Sequence, residues 1–349
     1  MTIFKAPYSL TSKNNLKKNW ESREKGSISN NEYASSPDSF GMIMEDVLAL
    51  LNIDISYNER LDQIKKAINI LGNNYTELNL TVVSSTLNYE QNTYIITPLG
   101  LKNSKRDAKD GIVLFGYEKN NNIKKENFKN DNNIYSNEKG KININNTGII
   151  EEFFLNDFVF PIEEREENNL LYEFPNFAIY YNVRDGNYYI KDFNTGVGAL
   201  MKIKKCIMES NTLINIGSNY LVVYINNNTI TIKIFNNNTI GDGNENRERV
   251  GENYRVKEFQ VKNNEDTKIT IGRSQKCNIV IEDMMLSKIQ AYIEYNSKDN
   301  IFYLYDGNGE KESTNGTWVF ILNPIKITNN FLFKAEHTLF VATFNSKNE

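Results

Sequence analysis

Two antiparallel β-sandwiches in tandem, preceded by a short helical hairpin, make up the mainly β fold that three observations predict. Short runs rich in Ile, Val, Tyr, Phe and Thr, such as Tyr94-Ile95-Ile96-Thr97 and Thr229-Ile230-Thr231-Ile232-Lys233-Ile234-Phe235, recur between clusters of Asn, Asp and Gly. No helical pattern alternates with them, which disfavours βαβ units and a parallel sheet. With 349 residues, 40% of them hydrophobic, the chain holds enough apolar material for two ordinary domains.

Taken in order, residues 1–36 are polar and lack apolar periodicity, so a flexible leader is expected. Residues 37–73 read as the helical hairpin. Ser56 with Glu59 three residues on is a capping box, Leu61, Ile64, Ile68 and Leu71 recur at helical spacing, and Gly72 suits the stop. The hairpin is expected to pack beside the next domain, with a helical docking site for a partner as the alternative. Strand-like runs then fill 90–218 and 219–346, the two expected sandwiches. Residues 118–146 and 236–253 are crowded with Lys, Asn and Glu and read as polar loops.

Composition narrows the function. Forty Lys plus Arg against 44 Asp plus Glu give a net charge of −4, so no positive field exists to gather nucleic acid or anionic lipid. No run of about 18 apolar residues predicts a bilayer span and the first thirty residues hold no secretory core, so an intracellular protein of cytoplasm or nucleus is expected. About one residue in six is Asn, a bias of composition, and the Asn-x-Ser/Thr sequons it produces carry no message. His337 is the single histidine, and Cys206 and Cys277 lie far apart, too few soft ligands for a zinc cluster. Asp242, Asn244 and Asn246 open like a calcium loop, but Arg247 stands where Gly is needed and Asn253 where Glu is needed. No phosphate loop, nucleophile elbow or zinc-protease pair is present, so no catalytic residue, metal or cofactor is expected.

One constellation remains. Ile271-Gly272-Arg273-Ser274, then Leu286-Ser287-Lys288-Ile289-Gln290-Ala291, then Ser313-Thr314-Asn315-Gly316-Thr317-Trp318 place small or cationic donors in three strand-connecting loops. Loops at one end of a sandwich converge, and Arg, Lys, hydroxyl and amide donors without a carboxylate among them suit an oxyanion, phosphate above all. Each residue also has an ordinary explanation. A lone Arg is usually a solvated charge, Ser287 a turn residue, Lys288 a strand edge and Thr314-Asn315-Gly316 a hairpin turn.

The spacing of these three segments resembles the forkhead-associated (FHA) domain over about residues 219–346, with Tyr220 to Ile234 as opening strands and Leu332 to Thr343 as the close. The resemblance implies an eleven-stranded sandwich that binds phosphothreonine peptides and catalyses nothing. It implies that Arg273 and Ser287 contact the phosphate, Lys288 flanks it, Asn315 bonds the peptide backbone and Thr314 lines the threonine pocket. Gly272 and Gly316 are backbone necessities, Trp318 packs in the core, and Gln290 stands where most members carry a histidine that braces the loops. A weaker echo upstream resembles a degenerate second copy, in which Glu151-Glu152 fall near the Gly-Arg position, Phe174-Pro175 near Ser-Lys and Val197 in place of Asn. The expected partner is a phosphothreonine-containing protein. The competing expectation is a phosphate-independent structural adaptor within a large cytoskeletal or ciliary assembly.

Overall fold

The computed structural model describes residues 37–72, 74–89, 91–117, 134–136, 141–144, 149–151, 156–161, 175–194, 198–236, 254–262 and 265–345. The expected leader and the 237–253 loop lie outside them. Helix α1 (Pro37–Leu50) and helix α2 (Tyr57–Leu71) form the hairpin. As the capping box requires, the Glu59 N–H donates to Ser56 Oγ at 3.2 Å, and Gly72 ends α2 with φ at +55°.

Strands follow in the order β1 (Leu78–Ser85), β2 (Thr93–Thr97), β3 (Gly100–Leu101), β4 (Ile112–Gly116), β5 (Ile134–Ser136), β6 (Lys141–Ile144), β7 (Ile149–Glu151), β8 (Phe158–Val159), β9 (Phe177–Asn182) and β10 (Asn187–Asp192). Next come β11 (Leu200–Ile203), β12 (Lys205–Met208), β13 (Leu213–Ile216), β14 (Asn219–Asn226), β15 (Thr229–Asn236), β16 (Tyr254–Gln260) and β17 (Thr267–Gly272). The chain closes with β18 (Ile279–Val280), β19 (Ala291–Asn296), β20 (Ile301–Asp306), β21 (Thr317–Phe320), β22 (Ile325–Lys326), β23 (Phe331–Ala335) and β24 (Thr338–Phe344). Within the expected polar loop 118–146 stand β5 and β6, which with β7 make a three-stranded antiparallel sheet. The alternation in Lys141-Ile142-Asn143-Ile144 is enough to form a strand despite the polar surroundings.

Two compact units emerge, and they do not follow the boundaries 90–218 and 219–346. One is a continuous insertion, Leu200–Phe320; the other flanks it, combining residues up to Ala199 with Ile321 onward. In the inserted unit one sheet runs β12-β20-β19-β17-β18, and β11, β21, β13, β14, β15 and β16 pair in turn to make the second. The β14–β15 hairpin turns on Asn227 and Asn228, with Asn227 at φ +48°, a left-handed value that Asn tolerates. Along β15 the period of two sends Ile230, Ile232 and Ile234 inward, where they meet Ile214, Ile216, Ile269, Ile271, Ile279 and Ile293 in one dry core.

The flanking unit repeats the first sheet as β22-β10-β9-β4-β8, and its second sheet pairs β23 with β24, β24 with β1, β1 with β2 and β2 with β3. Strands β23 and β24, expected to close the C-terminal domain, therefore close this one: Leu78 to Ser85 pair with Phe344 to Thr338 along the whole of β1. The place beside β20 that a sequential tandem would give to β22 is taken by β12, with Lys205 opposite Tyr305 and Ile207 opposite Tyr303. The hairpin buries Met44, Val47, Leu48 and Leu51 against Ile112, Leu114, Ala178 and Tyr180 of the flanking unit. It is a packing element there.

Candidate functional site

The three loops of the constellation meet at one end of the inserted unit, and backbone geometry explains how. Gly272 ends β17 against the chain that leads into β19. A Cβ at Gly272 would run into Lys288 O and come within 2.9 Å of Ile289 Cα, so only glycine permits the approach. The Arg273 N–H then donates to Ser287 O at 3.2 Å and the Ser274 N–H to Lys288 O at 3.1 Å, fastening the first loop to the second.

The second and third loops are joined through Ser287. Its Oγ accepts the Thr314 N–H at 3.1 Å and its hydroxyl lies 3.4 Å from Thr314 Oγ1. Asn315 Nδ2 donates to Met285 O at 2.6 Å. Beneath them Gln290 is fully buried and satisfied on three sides: Oε1 accepts the Ser287 N–H at 3.0 Å, while Nε2 donates to Ser313 Oγ at 2.7 Å and Gly316 O at 2.9 Å. A buried amide serving both as donor and acceptor holds two loops to one geometry.

Asp306, at the inward-facing end of β20, ties the root of the third loop by accepting the Ser313 N–H at 2.9 Å, the Ser313 hydroxyl at 2.6 Å and the Thr317 hydroxyl at 2.7 Å. Gly316 carries φ at +75°, a value that disfavours any side chain. Trp318 is half-buried, not a core residue; its indole N–H donates to Asn315 O at 3.0 Å and steadies the loop from outside.

Every residue singled out in the sequence thus lies in this cluster. Arg273, Lys288, Thr314 and Asn315 are exposed, Ser287 is half-exposed, and Gln290 and Gly316 are buried. Neither Arg273 nor Lys288 has an ion-pair partner among the described residues. Two nearby carboxylates are engaged elsewhere: Asp283 accepts from Ser218 N–H at 2.9 Å, Ser218 Oγ at 2.8 Å and Asn219 Nδ2 at 2.9 Å, and Glu312 pairs with Lys204 at 2.8 Å. These neutral donors hold the Asp283 carboxyl below the usual carboxylate range, although its partial burial pushes the other way. What remains is a rim with two unpaired cations, hydroxyls and amides, suited to one oxyanion.

Two contributors escaped the sequence. Lys202 on β11 lays its stem beside the third loop, where a Cβ at Gly316 would come within 2.6 Å of Lys202 Cε. More than a hundred residues separate them in the chain, and no local pattern could pair them. Met285 supplies the carbonyl that holds Asn315, and the only mark it leaves in the sequence is the Met284-Met285 pair inside a polar loop.

In the flanking unit the strand registers correct the expected alignment. Gly116 ends β4 as Gly272 ends β17, so Tyr117 occupies the place of Arg273; Glu151 ends β7 in the small separate sheet, and Glu152 lies outside the described residues. The Asn176 N–H donates to Phe115 O as the Gln290 N–H does to Ile271 O, which puts Pro175 opposite Ile289. Phe174 and Val197 lie outside the described residues. A buried ion network was also missed: Arg106 bridges Asp110 at 2.8 Å and Asp157 at 2.9 Å with all three side chains almost wholly enclosed.

Among the described residues no helix is long and apolar enough to cross a membrane, and no group of His, Cys, Asp and Glu is placed to hold a metal ion. Residues 269–335 match the family model of the FHA domain. FHA domains are protein-interaction modules that bind phosphopeptides and are not enzymes. The match begins on β17, covers all three loops and runs past Phe320 into β23, and so joins in sequence what the two units divide in space. No curated protein and no solved structure matches the chain.

Proposed function

We propose that the inserted unit reads phosphothreonine in an intracellular partner protein. The observation that carries this is that the loops bearing Arg273, Ser287, Lys288, Thr314 and Asn315 meet at one rim, where the carboxylates of Asp283 and Glu312 are held by other partners. Arg273 and Ser287 hold the phosphate, Lys288 adds a second cation, Asn315 bonds the peptide backbone and Thr314 lines the pocket for the threonine methyl. Each charge-assisted hydrogen bond contributes roughly 1.5–3 kcal/mol, so three of them separate a phosphorylated from an unphosphorylated threonine. Because a short peptide loses its freedom on binding, micromolar affinity of about −8 kcal/mol is expected.

The test is a fluorescence titration of the full chain with a phosphothreonine peptide. Arg273→Ala is expected to weaken binding by roughly 2–5 kcal/mol while leaving the circular dichroism spectrum unchanged. Undiminished binding by this variant removes Arg273 from the site. Phosphoserine peptides are expected to bind less tightly, lacking the methyl contact.

The flanking unit, with Tyr117 in place of the arginine, supports a second reading for that part alone, a phosphate-independent contact surface. Phosphatase treatment of an extract before pull-down separates the two. Partners held by the inserted unit are lost and partners held by the flanking unit stay.

A further inference from the structure

In the flanking unit the hairpin covers the outer face of the first sheet. Met44, Val47 and Leu48 of α1 pack on Ile112, Leu114, Ala178 and Tyr180, and the rings of Tyr180 and Tyr189 lie stacked at 5.7 Å. Lys191, on the same face, donates its ammonium to the Leu50 carbonyl at the end of α1. Helix α1 carries Asp38, Glu45 and Asp46 and no Lys or Arg. An acidic amphipathic helix is what this chain itself lays on such a face.

The corresponding face of the inserted unit runs across β12, β20, β19 and β17. Alternation sends Ile207, Tyr303, Tyr305 and Tyr292 to the side opposite the core, with Lys205 and Lys268 beside them. Tyr305 stands between Lys205 and Tyr292 in register, and the Tyr292 and Tyr305 rings stack at 4.7 Å, within 6° of parallel. Tyr303 stands opposite Ile207, which is 59% exposed. Both lysines are exposed, and each ammonium is drawn over a ring, Lys205 4.1 Å from the centre of Tyr303 and Lys268 3.7 Å from that of Tyr292. Among the described residues the face sets one carboxylate against them, Glu294, opposite Lys268. A sheet face that only meets water is polar throughout, whereas this one has an apolar centre of tyrosines and Ile207 flanked by cations. Tyrosine is enriched where one protein surface meets another.

We propose that this face docks an amphipathic helix of a partner protein, its apolar stripe on Ile207 and the tyrosines and its acidic residues against Lys205 and Lys268. The occupant follows from charge and from the covered counterpart in the same chain. Residues 1–36 carry six Lys and Arg against three Glu, the wrong sign to fill the face from within. The proposal does not depend on the phosphothreonine reading.

The experiment uses the full chain and two labelled probes, alanine-based helical peptides of about 18 residues, long enough to hold a helix in water. Both carry one leucine stripe at helical spacing. Glu flanks the stripe in one and Lys in its twin. In fluorescence anisotropy the Glu peptide is expected to bind about fivefold more tightly than its twin. The chain's net charge of −4 would by itself favour the Lys peptide, so this preference has to come from a local site. Ile207→Asp is expected to weaken the Glu peptide at least about tenfold with an unchanged circular dichroism spectrum. Tyr303→Ser, expected to weaken it similarly, decides the matter if Ile207→Asp does not fold. Lys205→Glu/Lys268→Glu is expected to turn the preference toward the Lys peptide.

Absence of binding by both peptides overturns the proposal, as does binding in which the Lys peptide equals or exceeds the Glu peptide. Binding that survives the face variants overturns it too, by placing the helix elsewhere. Self-association of the chain that Ile207→Asp abolishes assigns the face to a second copy and likewise overturns it.

Discussion

The two units share a five-stranded sheet with the same order of strand pairing, yet the loops that leave it are built from different chemistry. In the inserted unit a glycine meets backbone, an arginine follows it, and a buried glutamine joins two loops through three hydrogen bonds. In the flanking unit the same positions hold Gly116, Tyr117 and Asn176, and the side chain of Asn176 donates to Glu336 Oε1 at 3.2 Å. The sheet is set by strand alternation and burial, which many sequences satisfy. A phosphate-binding rim would need particular donors at particular loop positions, and among the described residues the flanking unit has Tyr117 and Asn176 where the inserted unit has Arg273 and Gln290.

The comparison stands or falls on which strand completes each sheet, and that has the largest, all-or-none outcome. With Cys206 and Cys277 replaced by Ala, the pair Ile207→Cys/Tyr303→Cys is expected to form a disulfide in the full chain, as is Tyr189→Cys/Lys326→Cys, because each pair is directly opposed across two strands. In an unexchanged tandem the pairs Tyr189→Cys/Ile207→Cys and Tyr303→Cys/Lys326→Cys would close instead. Mass spectrometry of the oxidised protein distinguishes the two arrangements.

Next in size is the glycine that ends the equivalent strand. A methyl at Gly272 meets the backbone of Lys288, Ile289 and Gln290, whereas the atoms nearest to one at Gly116 belong to the side chain of Asn156, at 2.7 Å. Gly272→Ala is expected to destabilise its unit by about 3 kcal/mol, and Gly116→Ala by about 1 kcal/mol, because a side chain moves more readily than a strand. Hydrogen exchange read separately for β17–β20 and β4–β10 gives both values in the intact chain. Equal losses would mean that the two strand ends are not built alike.

These positions also show what the sequence discloses. The Ile-rich alternation of β15, the Ser56 cap and the three loop segments were legible because each is written within a few consecutive residues. The exchange of β12 for β22 was not, since both strands are short, each mixes a lysine with apolar residues, and neither carries a pattern that ties it to β20 or to β10. Lys202 beside Gly316 and the Arg106 network depend on contacts between distant segments. The mistaken placement of Glu151-Glu152 arose because the flanking unit spends 41 residues between β4 and β8, where the inserted unit spends only six between β17 and β18.

A smaller effect concerns the braces. Gln290→Ala leaves Ser287 N–H, Ser313 Oγ and Gly316 O without their buried partner, which is expected to cost roughly 2–3 kcal/mol and to weaken phosphopeptide binding. Asn176→Ala removes its bond to Glu336 and is expected to cost about 1 kcal/mol. Thermal unfolding of the two variants checks the ranking, and a larger loss at Asn176 would reverse it.

The last contrast lies in the inward-facing aspartates that end β10 and β20. Asp306 receives two hydroxyls and a backbone N–H; among the described residues Asp192 receives the backbone N–H groups of Asn194 and Ala199, both at 2.6 Å. Complete burial pushes the Asp192 carboxyl up to about 7, with the two backbone donors pulling it back down. Between the ordinary carboxylate value near 4 and about 7, the folded chain keeps a proton that the unfolded chain releases. Stability therefore falls as pH rises through that window, by about 1 kcal/mol for each pH unit, and levels off above it. Asp192→Asn cannot titrate and is expected to flatten this slope in urea unfolding measured from pH 4 to pH 8, at the expense of one backbone hydrogen bond. Parallel profiles for variant and wild type would show that the folded flanking unit holds Asp192 charged across that range.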